Sequence, residues 1–183
     1  MGMIRKIFLS LGLLALTACT PASPYTKGKS PADVPSHINT VYLEKVYISS
    51  GDTETNGDPK EATDPLQESR DMLVIAKPTI VSQLTNFGYK IVENPKATAD
   101  IGMKCGVRYL QLWPLANNNM TTWCGIYDIA DMAGAPLFRM ATTQERQSGL
   151  VTIMVEASRS DMAAQEARDV VIKVVDEIRK GTK

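Results

Sequence analysis

The stretch ADIGMKCGVRYLQLW, residues 99–113, decides the fold. Its odd positions are mostly apolar, whereas Lys104 and Arg108 fall on the opposite face. A two-residue alternation of this kind predicts a long β-strand with one buried face. The segment PLANNNM, residues 114–120, predicts a hairpin loop, and residues 121–132 predict the returning strand.

This hairpin brings together two of the three cysteines. A turn at Pro114 and Leu115 places Cys105 directly opposite Cys124, where the two Cβ atoms are close enough for a disulfide. In an oxidising compartment an even pair of cysteines tends to close. We therefore expect a Cys105–Cys124 disulfide, and the alternative is a pair of buried free thiols.

The elements around the hairpin follow from periodicity and turn residues. A helix is predicted over residues 65–87, kinked or restarted at Pro78, with a short strand over residues 72–76 as the alternative for its middle. The last helix is predicted over residues 160–180, with Ser160 as its cap. Strands are predicted over residues 39–49, 89–93, 136–147 and 150–156, with a polar loop over 50–64 and a tight turn over 131–135. The fold class is α+β: an antiparallel sheet of about five strands with two helices packed on one face, preceded by a disordered tether.

The first 18 residues differ from the rest of the chain. Arg5 and Lys6 precede an apolar run over residues 7–16, which is shorter than the roughly 20 residues of a membrane-spanning helix. The pattern predicts a secretory signal peptide over residues 1–18.

The sequence Leu-Thr-Ala-Cys at residues 16–19 spans the end of this signal and the residue after it, and it resembles the bacterial lipobox. In lipobox precursors the cysteine is acylated and the signal is removed before it. The resemblance implies that Cys19 carries acyl chains such as palmitate, and the alternative is a plain signal peptide. Because Thr20 rather than Asp follows Cys19, the resemblance to Gram-negative lipoproteins implies an outer-membrane anchor with the domain facing the periplasm.

Residues 19–37 begin with the cysteine that the resemblance implies to be lipidated. The segment contains several prolines, which predict a flexible tether after that cysteine. The folded domain is predicted over residues 38–183. His37 is the single histidine and lies at the end of this segment, where a linker residue is more typical than a ligand or a base.

Charge and composition exclude several functions. The 20 basic and 20 acidic side chains balance, so no nucleic-acid partner is expected. The sequence has a single histidine and no glycine-rich phosphate loop. We therefore predict no catalytic residues, no metal site and no cofactor. Asp128 and Asp131 suit a turn that caps its own amides better than an acid–base pair.

The tip of the hairpin is the one candidate contact surface. Aromatic and asparagine side chains favour a contact with a partner, and the alternative is a hairpin packed on itself. The residues are Trp113, Leu115, Asn117, Asn118, Asn119 and Trp123.

The domain resembles small Gram-negative envelope lipoproteins of unknown function through residues 84–95, the Ala-Asp-Ile of residues 99–101, and residues 127–144. It also resembles the surface-exclusion lipoproteins of conjugative plasmids, whose Gly-rich hydrophobic segment it lacks, and penicillin-binding-protein activator lipoproteins. These resemblances imply a non-catalytic lipoprotein that binds an envelope protein or a peptidoglycan-associated protein. A subunit of a secretion or conjugation system, and an enzyme acting on peptidoglycan or lipid with carboxylates alone, are the alternatives.

Overall fold

The computed structural model describes residues 23–50, 59–92, 98–112, 117–147 and 153–181. Six strands and two helices follow one another in the order strand, strand, helix, four strands, helix. Their bounds are β1 Thr40–Ser50, β2 Lys60–Glu61, α1 Gln67–Asn86, β3 Lys90–Val92, β4 Ile101–Leu112, β5 Asn117–Tyr127, β6 Phe138–Gln147 and α2 Ile153–Gly181.

The strands form one sheet in the order β2-β1-β4-β5-β6, with β3 paired to the start of β1. The pairs β1–β2, β4–β5 and β5–β6 are antiparallel. The pairs β1–β3 and β1–β4 are parallel because the chain returns through α1, and a crossover helix brings it back in the same direction. The predicted α+β class with a sheet of about five strands is confirmed, and the sheet, which was predicted to be antiparallel, is so in three of these five strand pairs.

The hairpin of β4 and β5 has the predicted register, with Cys105 opposite Cys124. The strand β5 nevertheless begins at Asn117, so the predicted loop over residues 114–120 was too long. Asn117 pairs with Leu112 on one side and Gln147 on the other. Two neighbouring strands satisfy the backbone of residues 117–119, which overrides the low strand preference of asparagine.

The returning strand was predicted to run to residue 132, but β5 ends at Tyr127. Asp128 caps a short 3-10 helix, Ile129–Asp131, by accepting a hydrogen bond from the Ala130 N–H to its Oδ1 at 2.9 Å. The expectation that this aspartate caps its own turn is confirmed. The chain then turns into β6 at Phe138.

The helix α2 begins at Ile153, so the strand predicted over residues 150–156 was wrong where the structure describes it. Ser160 lies inside the helix and is not its cap. Strand preference is a property of the local sequence only. It is overridden here because α2 packs an apolar stripe on the sheet. Every predicted member of that stripe is buried: Met162, Ala163, Ala167, Val170, Val171, Val174 and Ile178.

The helix α1 runs through Pro78 without a break, so the alternative of a strand over residues 72–76 was wrong. Proline removes the N–H that would reach the carbonyl of Val74, but Val74 is 73% exposed and water can replace that partner. The Thr79 hydroxyl donates to the Ile75 carbonyl at 2.8 Å, which adds a bond at the same turn.

Both helices pack on one face of the sheet and against each other, as predicted. The core lies between them and that face and consists mainly of aliphatic side chains. Its fully buried members include Ile80, Leu84, Ile101, Met103, Met120, Ile126, Phe138 and Met162.

The described part of the predicted tether, from Ser23 onward, packs on the domain. Tyr25 forms an antiparallel bridge with Phe138, and the two rings lie 5.5 Å apart between centroids. A short 3-10 helix, Pro31–Asp33, follows and contacts α2, and Val34 is buried in the core. The apolar side chains of Tyr25 and Val34 therefore join this segment to the fold.

Candidate functional site

The predicted site residues fall into three groups. Cys19, Trp113 and Leu115 lie outside the described residues. Cys105 and Cys124 are buried and joined by a disulfide beneath the helices. The others belong to β5: Asn117, Asn118, Asn119 and Trp123.

Of the predicted contact residues in β5, Asn119 and Trp123 have described side chains, and these two do not share one exposed surface. Asn119 donates through Nδ2 to Oε1 of Glu145 on the neighbouring strand at 3.1 Å. Trp123 is fully buried and therefore offers no contact area to a partner. The structure thus draws attention away from the hairpin tip and toward the rest of the face on which Trp123 lies.

That face, which we call the open face, is the side of the sheet opposite the helices. The Trp123 indole occupies the space next to Gly106 of β4, where any Cβ atom would overlap it. Tyr47 of β1 covers the indole edge-on with ring centroids 5.5 Å apart, and the Tyr47 hydroxyl donates to the Pro59 carbonyl at 2.7 Å. On this part of the open face the indole is packed against a glycine of the sheet on one side and an aromatic ring on the other.

Beside this part lies a groove of about 690 Å³, which we call the Lys104 groove. Its floor is formed by β1 and β4, and its wall by the turn that contains the short 3-10 helix. It is lined by Tyr42, Glu44, Lys104, Ile129, Ala130, Asp131, Met132 and Ala133.

Lys104 is the central charge of this groove, with only 12% of its side chain exposed. Its ammonium lies 3.7 Å from Oε2 of Glu44 and 4.4 Å from the centroid of the Tyr127 ring. It also donates to the carbonyl oxygen of Met132 in the turn. A carboxylate, a carbonyl and a ring together hold the cation in place, and this arrangement ties the turn to the sheet.

The groove places acidic, aromatic and apolar side chains next to the Lys104 ammonium. Glu44 and Asp131 supply exposed carboxylates, Tyr42 an aromatic surface, and Ile129 an apolar contact at the rim. Sequence analysis placed Lys104 on the face opposite the buried one, but it could not bring the turn over residues 129–133 onto that face. One feature of the sequence could have indicated it. Gly102 and Gly106 lie two residues before and after Lys104, on the same face of the strand, and glycines there leave room for large neighbouring groups.

A second groove, of about 450 Å³, lies at the end of α2 and includes His37. His37 is exposed there, with Tyr89 and Arg179 among its neighbours. Burial raises the pKa of the Tyr89 hydroxyl, and the nearby Arg179 guanidinium partly offsets this. Arg179 itself lies 5.3 Å from the centroid of the Phe87 ring.

Two carboxyls outside the grooves have shifted pKa values. Burial raises the pKa of Glu166 on α2, and the Thr142 hydroxyl partly offsets this; among the described residues the Glu166 Oε2 atom has no hydrogen-bond partner. At Asp100, burial alone would raise the pKa. The N–H groups of Asn39 and Thr40, each donating at 2.8 Å, together with the Thr40 hydroxyl, reverse this and lower it.

Within the described ranges, His, Cys, Asp and Glu side chains form no cluster of three or more that could hold a metal ion. Over the same part of the chain, no helix has both the length and the apolar character needed to cross a bilayer.

No protein-family model and no curated protein sequence matches the chain. Solved structures resemble it in fold at low identity. A minor lipoprotein from Acinetobacter baumannii is 14% identical over 79% of this chain and 92% of that chain, with a TM-score of 0.43. A subunit of the PelC dodecamer from Paraburkholderia phytofirmans is 15% identical over 73% of this chain and 83% of that chain, with a TM-score of 0.42.

A Xanthomonas campestris protein of the DUF330 family is 10% identical over 78% of this chain and 86% of that chain, with a TM-score of 0.48. Likeness at this degree of identity and superposition carries no information on function. The class that the coordinates define is an α+β domain with one helix-covered face and one open face.

Proposed function

We propose that this protein is a non-catalytic lipoprotein, anchored in the outer membrane through Cys19, whose periplasmic domain binds another component of the cell envelope. The observation that carries the proposal is the sequence Leu-Thr-Ala-Cys at residues 16–19, which follows a basic and then an apolar segment of the kind found in signal peptides. Several acyl chains, each contributing about 0.8 kcal/mol per buried methylene, give a stable anchor where one chain gives only a reversible one.

The anchor is tested by metabolic labelling with a palmitate analogue in wild-type cells and in a Cys19→Ser variant. We expect label and membrane retention in the wild type and neither in the variant, because serine offers no thiol for acylation. Cys105→Ala with Cys124→Ala is the matched control and should keep its label. Equal membrane retention of the Cys19→Ser protein would contradict the anchor.

The choice of membrane is tested separately. The residue after the acylated cysteine is Thr20, and a Thr20→Asp variant is expected to move from the outer to the inner membrane fraction. Thr20→Ser is the control that should leave the distribution unchanged. A Thr20→Asp protein that stays with the outer membrane would refute this sorting rule for the chain.

The binding site in this proposal is the Lys104 groove. It is supported by the open position of the groove on the face that the helices leave free, and by a fixed cation, exposed carboxylates and an aromatic surface side by side. Such a mixed surface suits a polar segment of a partner protein better than an acyl chain. A partner that belongs to a secretion or conjugation system would make the protein a subunit of that system.

The groove is tested by crosslinking in intact cells, purification through the domain, and identification of the captured partner. Ala130→Arg fills the groove from the middle of the 3-10 helix Ile129–Asp131. Ala32→Arg places the same side chain in the middle of the other short 3-10 helix, Pro31–Asp33, away from the groove. Both alanines are exposed, so both variants should fold.

We expect a defined partner that is captured by the wild type and by Ala32→Arg but at least about tenfold less by Ala130→Arg, since a blocked contact of 1.4 kcal/mol already has that effect. Equal capture by both variants would remove the groove from the proposal. Capture of nothing at native expression would remove the binding role itself.

A further inference from the structure

The second groove, of about 450 Å³ at the end of α2, differs in charge from the Lys104 groove, and we call it the His37 groove. The carboxylates of Glu44 and Asp131 line the Lys104 groove. None of the described residues that line the His37 groove carries a carboxylate. Its polar side chains all have hydrogen-bond donors, and they belong to Ser36, His37, Asn39, Tyr89 and Arg179. Donors around a permanent cation suit an anionic ligand.

One wall of the His37 groove is the segment that leads into β1. The core holds this segment at one end, where Val34 is buried. At its other end the Asn39 N–H donates to Oδ2 of Asp100 at 2.8 Å. The end of α2 packs closely on the same segment, because a Cβ atom at Gly181 would lie 2.7 Å from one of its backbone oxygens. Residues 36 and 37 are therefore fixed between two anchored points beside α2.

The other wall is formed where α1 ends. Gly88 has φ +92°, a left-handed conformation that glycine adopts without strain. The N–H groups of Gly88 and Tyr89 donate to carbonyls of the last turn of α1 at 2.9 and 3.1 Å, which is typical of a helix that ends at such a glycine. The turn brings both Phe87 and Tyr89 near Arg179. The guanidinium carbon lies 5.3 Å from the centroid of the Phe87 ring, and its charge acts on the Tyr89 hydroxyl.

Arg179 is well suited to bind an anion in this position. It is exposed, and the Phe87 ring attracts its guanidinium without bringing a negative charge. A guanidinium has several N–H donors in one plane, so it can serve more than one partner and can hold an oxyanion through two parallel hydrogen bonds. Burial raises the pKa of the Tyr89 hydroxyl, which therefore stays protonated and able to donate.

We propose that the His37 groove binds a phosphate group, carried either by a soluble compound or by a phospholipid headgroup. The donors come from three separate parts of the chain, residues 36–39, Tyr89 and Arg179. A tetrahedral phosphate can accept from several directions at once, whereas a carboxylate accepts in one plane. The volume of about 450 Å³ also leaves room for the molecule that carries the phosphate. The site depends neither on the anchor at Cys19 nor on the Lys104 groove, with which it shares no lining residue.

The test uses the single histidine of the chain as a reporter. The intact mature protein in a non-ionic detergent is titrated with sodium phosphate, while sodium chloride is withdrawn to keep the ionic strength constant and the pH is held fixed. NMR follows the imidazole proton resonances, which come from His37 alone. We expect these resonances to shift with phosphate and to reach saturation.

Arg179→Gln is expected to weaken phosphate binding at least about tenfold, because it removes a charged hydrogen-bond partner. Arg168→Gln is the matched control and should bind like the wild type, since Arg168 is also exposed on α2 but does not line the groove. Arg179→Lys keeps the charge and loses the planar donors, so its affinity should fall between those of wild type and Arg179→Gln. Thermal unfolding checks that all three variants are folded.

The source of the phosphate is identified by flotation of a Cys19→Ser protein, which has no thiol to acylate, with vesicles of phosphatidylcholine and phosphatidylglycerol. Flotation that Arg179→Gln abolishes assigns the groove to a lipid headgroup. Phosphate binding without flotation assigns it to a soluble ligand. The proposal is overturned if chloride alone reproduces the His37 shift, if neither phosphate nor vesicles bind, or if Arg179→Gln leaves the binding unchanged.

Discussion

The two faces of the sheet are closed in different ways. The helix-covered face is buried by α1 and α2 and is built from aliphatic side chains around the Cys105–Cys124 disulfide. Neither of the two long helices that the structure describes lies over the open face, yet Trp123 and Tyr127 are fully buried there. On that face the rings lie over the glycines of the sheet, at Gly106 and Gly125. One face is therefore buried by the helices, whereas on the other the aromatic side chains of the sheet pack on its glycines and on one another.

This difference is the reason why the proposed binding site lies on the open face. A face that needs helices to cover it cannot offer its strands to a partner. The open face is packed in this way around Trp123 and Tyr47 and leaves the Lys104 groove beside them. Substitutions on each face test whether the two faces differ in this way.

The largest effect is expected from Trp123→Ala on the open face. Removing a fully buried indole should lower the free energy of unfolding by about 3–5 kcal/mol, a loss typical of aromatic truncation in a core. Urea denaturation measures it. Trp123→Phe is the matched control and should lose less, because it keeps a ring over Gly106 and removes an indole N–H that has no partner. A loss below about 1 kcal/mol for Trp123→Ala is typical of a substitution at an exposed position, and it would contradict the burial of Trp123 on the open face.

The next effect concerns the helix-covered face. Replacing Cys105 and Cys124 by alanine should lower the free energy of unfolding by about 3 kcal/mol, because the cross-link joins residues 19 apart and restricts the unfolded chain. Denaturation with and without reductant checks this, and the alanine variant should not respond to reductant. Two reactive thiols in the native wild type would contradict the bridge.

A smaller effect is expected at Asp100, at the end of the sheet where β1 and β4 begin. Asp100→Asn should lower the free energy of unfolding at pH 7 by about 1–3 kcal/mol, since three donors lose a charged acceptor. The folded-state pKa of Asp100 is lowered, so the stabilisation is present above the unfolded value of about 3.9 and is lost as the pH falls through the folded value.

Denaturation of wild type and Asp100→Asn from pH 7 down to pH 3 tests that sign. The difference between them should shrink toward the acid end. Asp128→Asn is the control, because the exposed Asp128 accepts from the Ala130 N–H and its variant should lose less. A difference that stays constant with pH would exclude a role for the charge of Asp100.

The smallest effect is expected at Glu166 on the helix-covered face, and it has the opposite sign. Its folded-state pKa is raised, chiefly by burial, so ionisation opposes folding as the pH rises above the unfolded value of about 4.3. Glu166→Gln should therefore raise the free energy of unfolding at pH 7 by about 1 kcal/mol, and the gain should vanish near pH 4.

Glu177→Gln is the matched control on the same helix. Glu177 is also buried, but it is paired with Lys180 at 2.8 Å, so its replacement should not stabilise the protein. Thermal unfolding at pH 4 and pH 7 distinguishes the two. A Glu166→Gln protein that is less stable than the wild type at pH 7 would show that this carboxylate has a partner in solution.

The errors of sequence reasoning share one cause. Asn117–Asn119 were assigned to a loop and residues 150–156 to a strand because their local preferences point that way. The structure pairs the asparagines between two strands and begins a helix at Ile153. Local preference amounts to a fraction of a kcal/mol per residue, and pairing or packing overrides it.

The sequence by itself determined the alternation that makes β4, the register that places Cys105 opposite Cys124, and the buried stripe of α2, because periodicity and turn position act along the chain. It also contains the whole argument for the anchor at Cys19. Only the tertiary structure decided that Trp123 is buried, that the turn over residues 129–133 meets Lys104, and that Tyr25 and Val34 join the N-terminal segment to the domain. Those contacts link residues far apart in the sequence, and no local pattern records which of them meet when the chain folds.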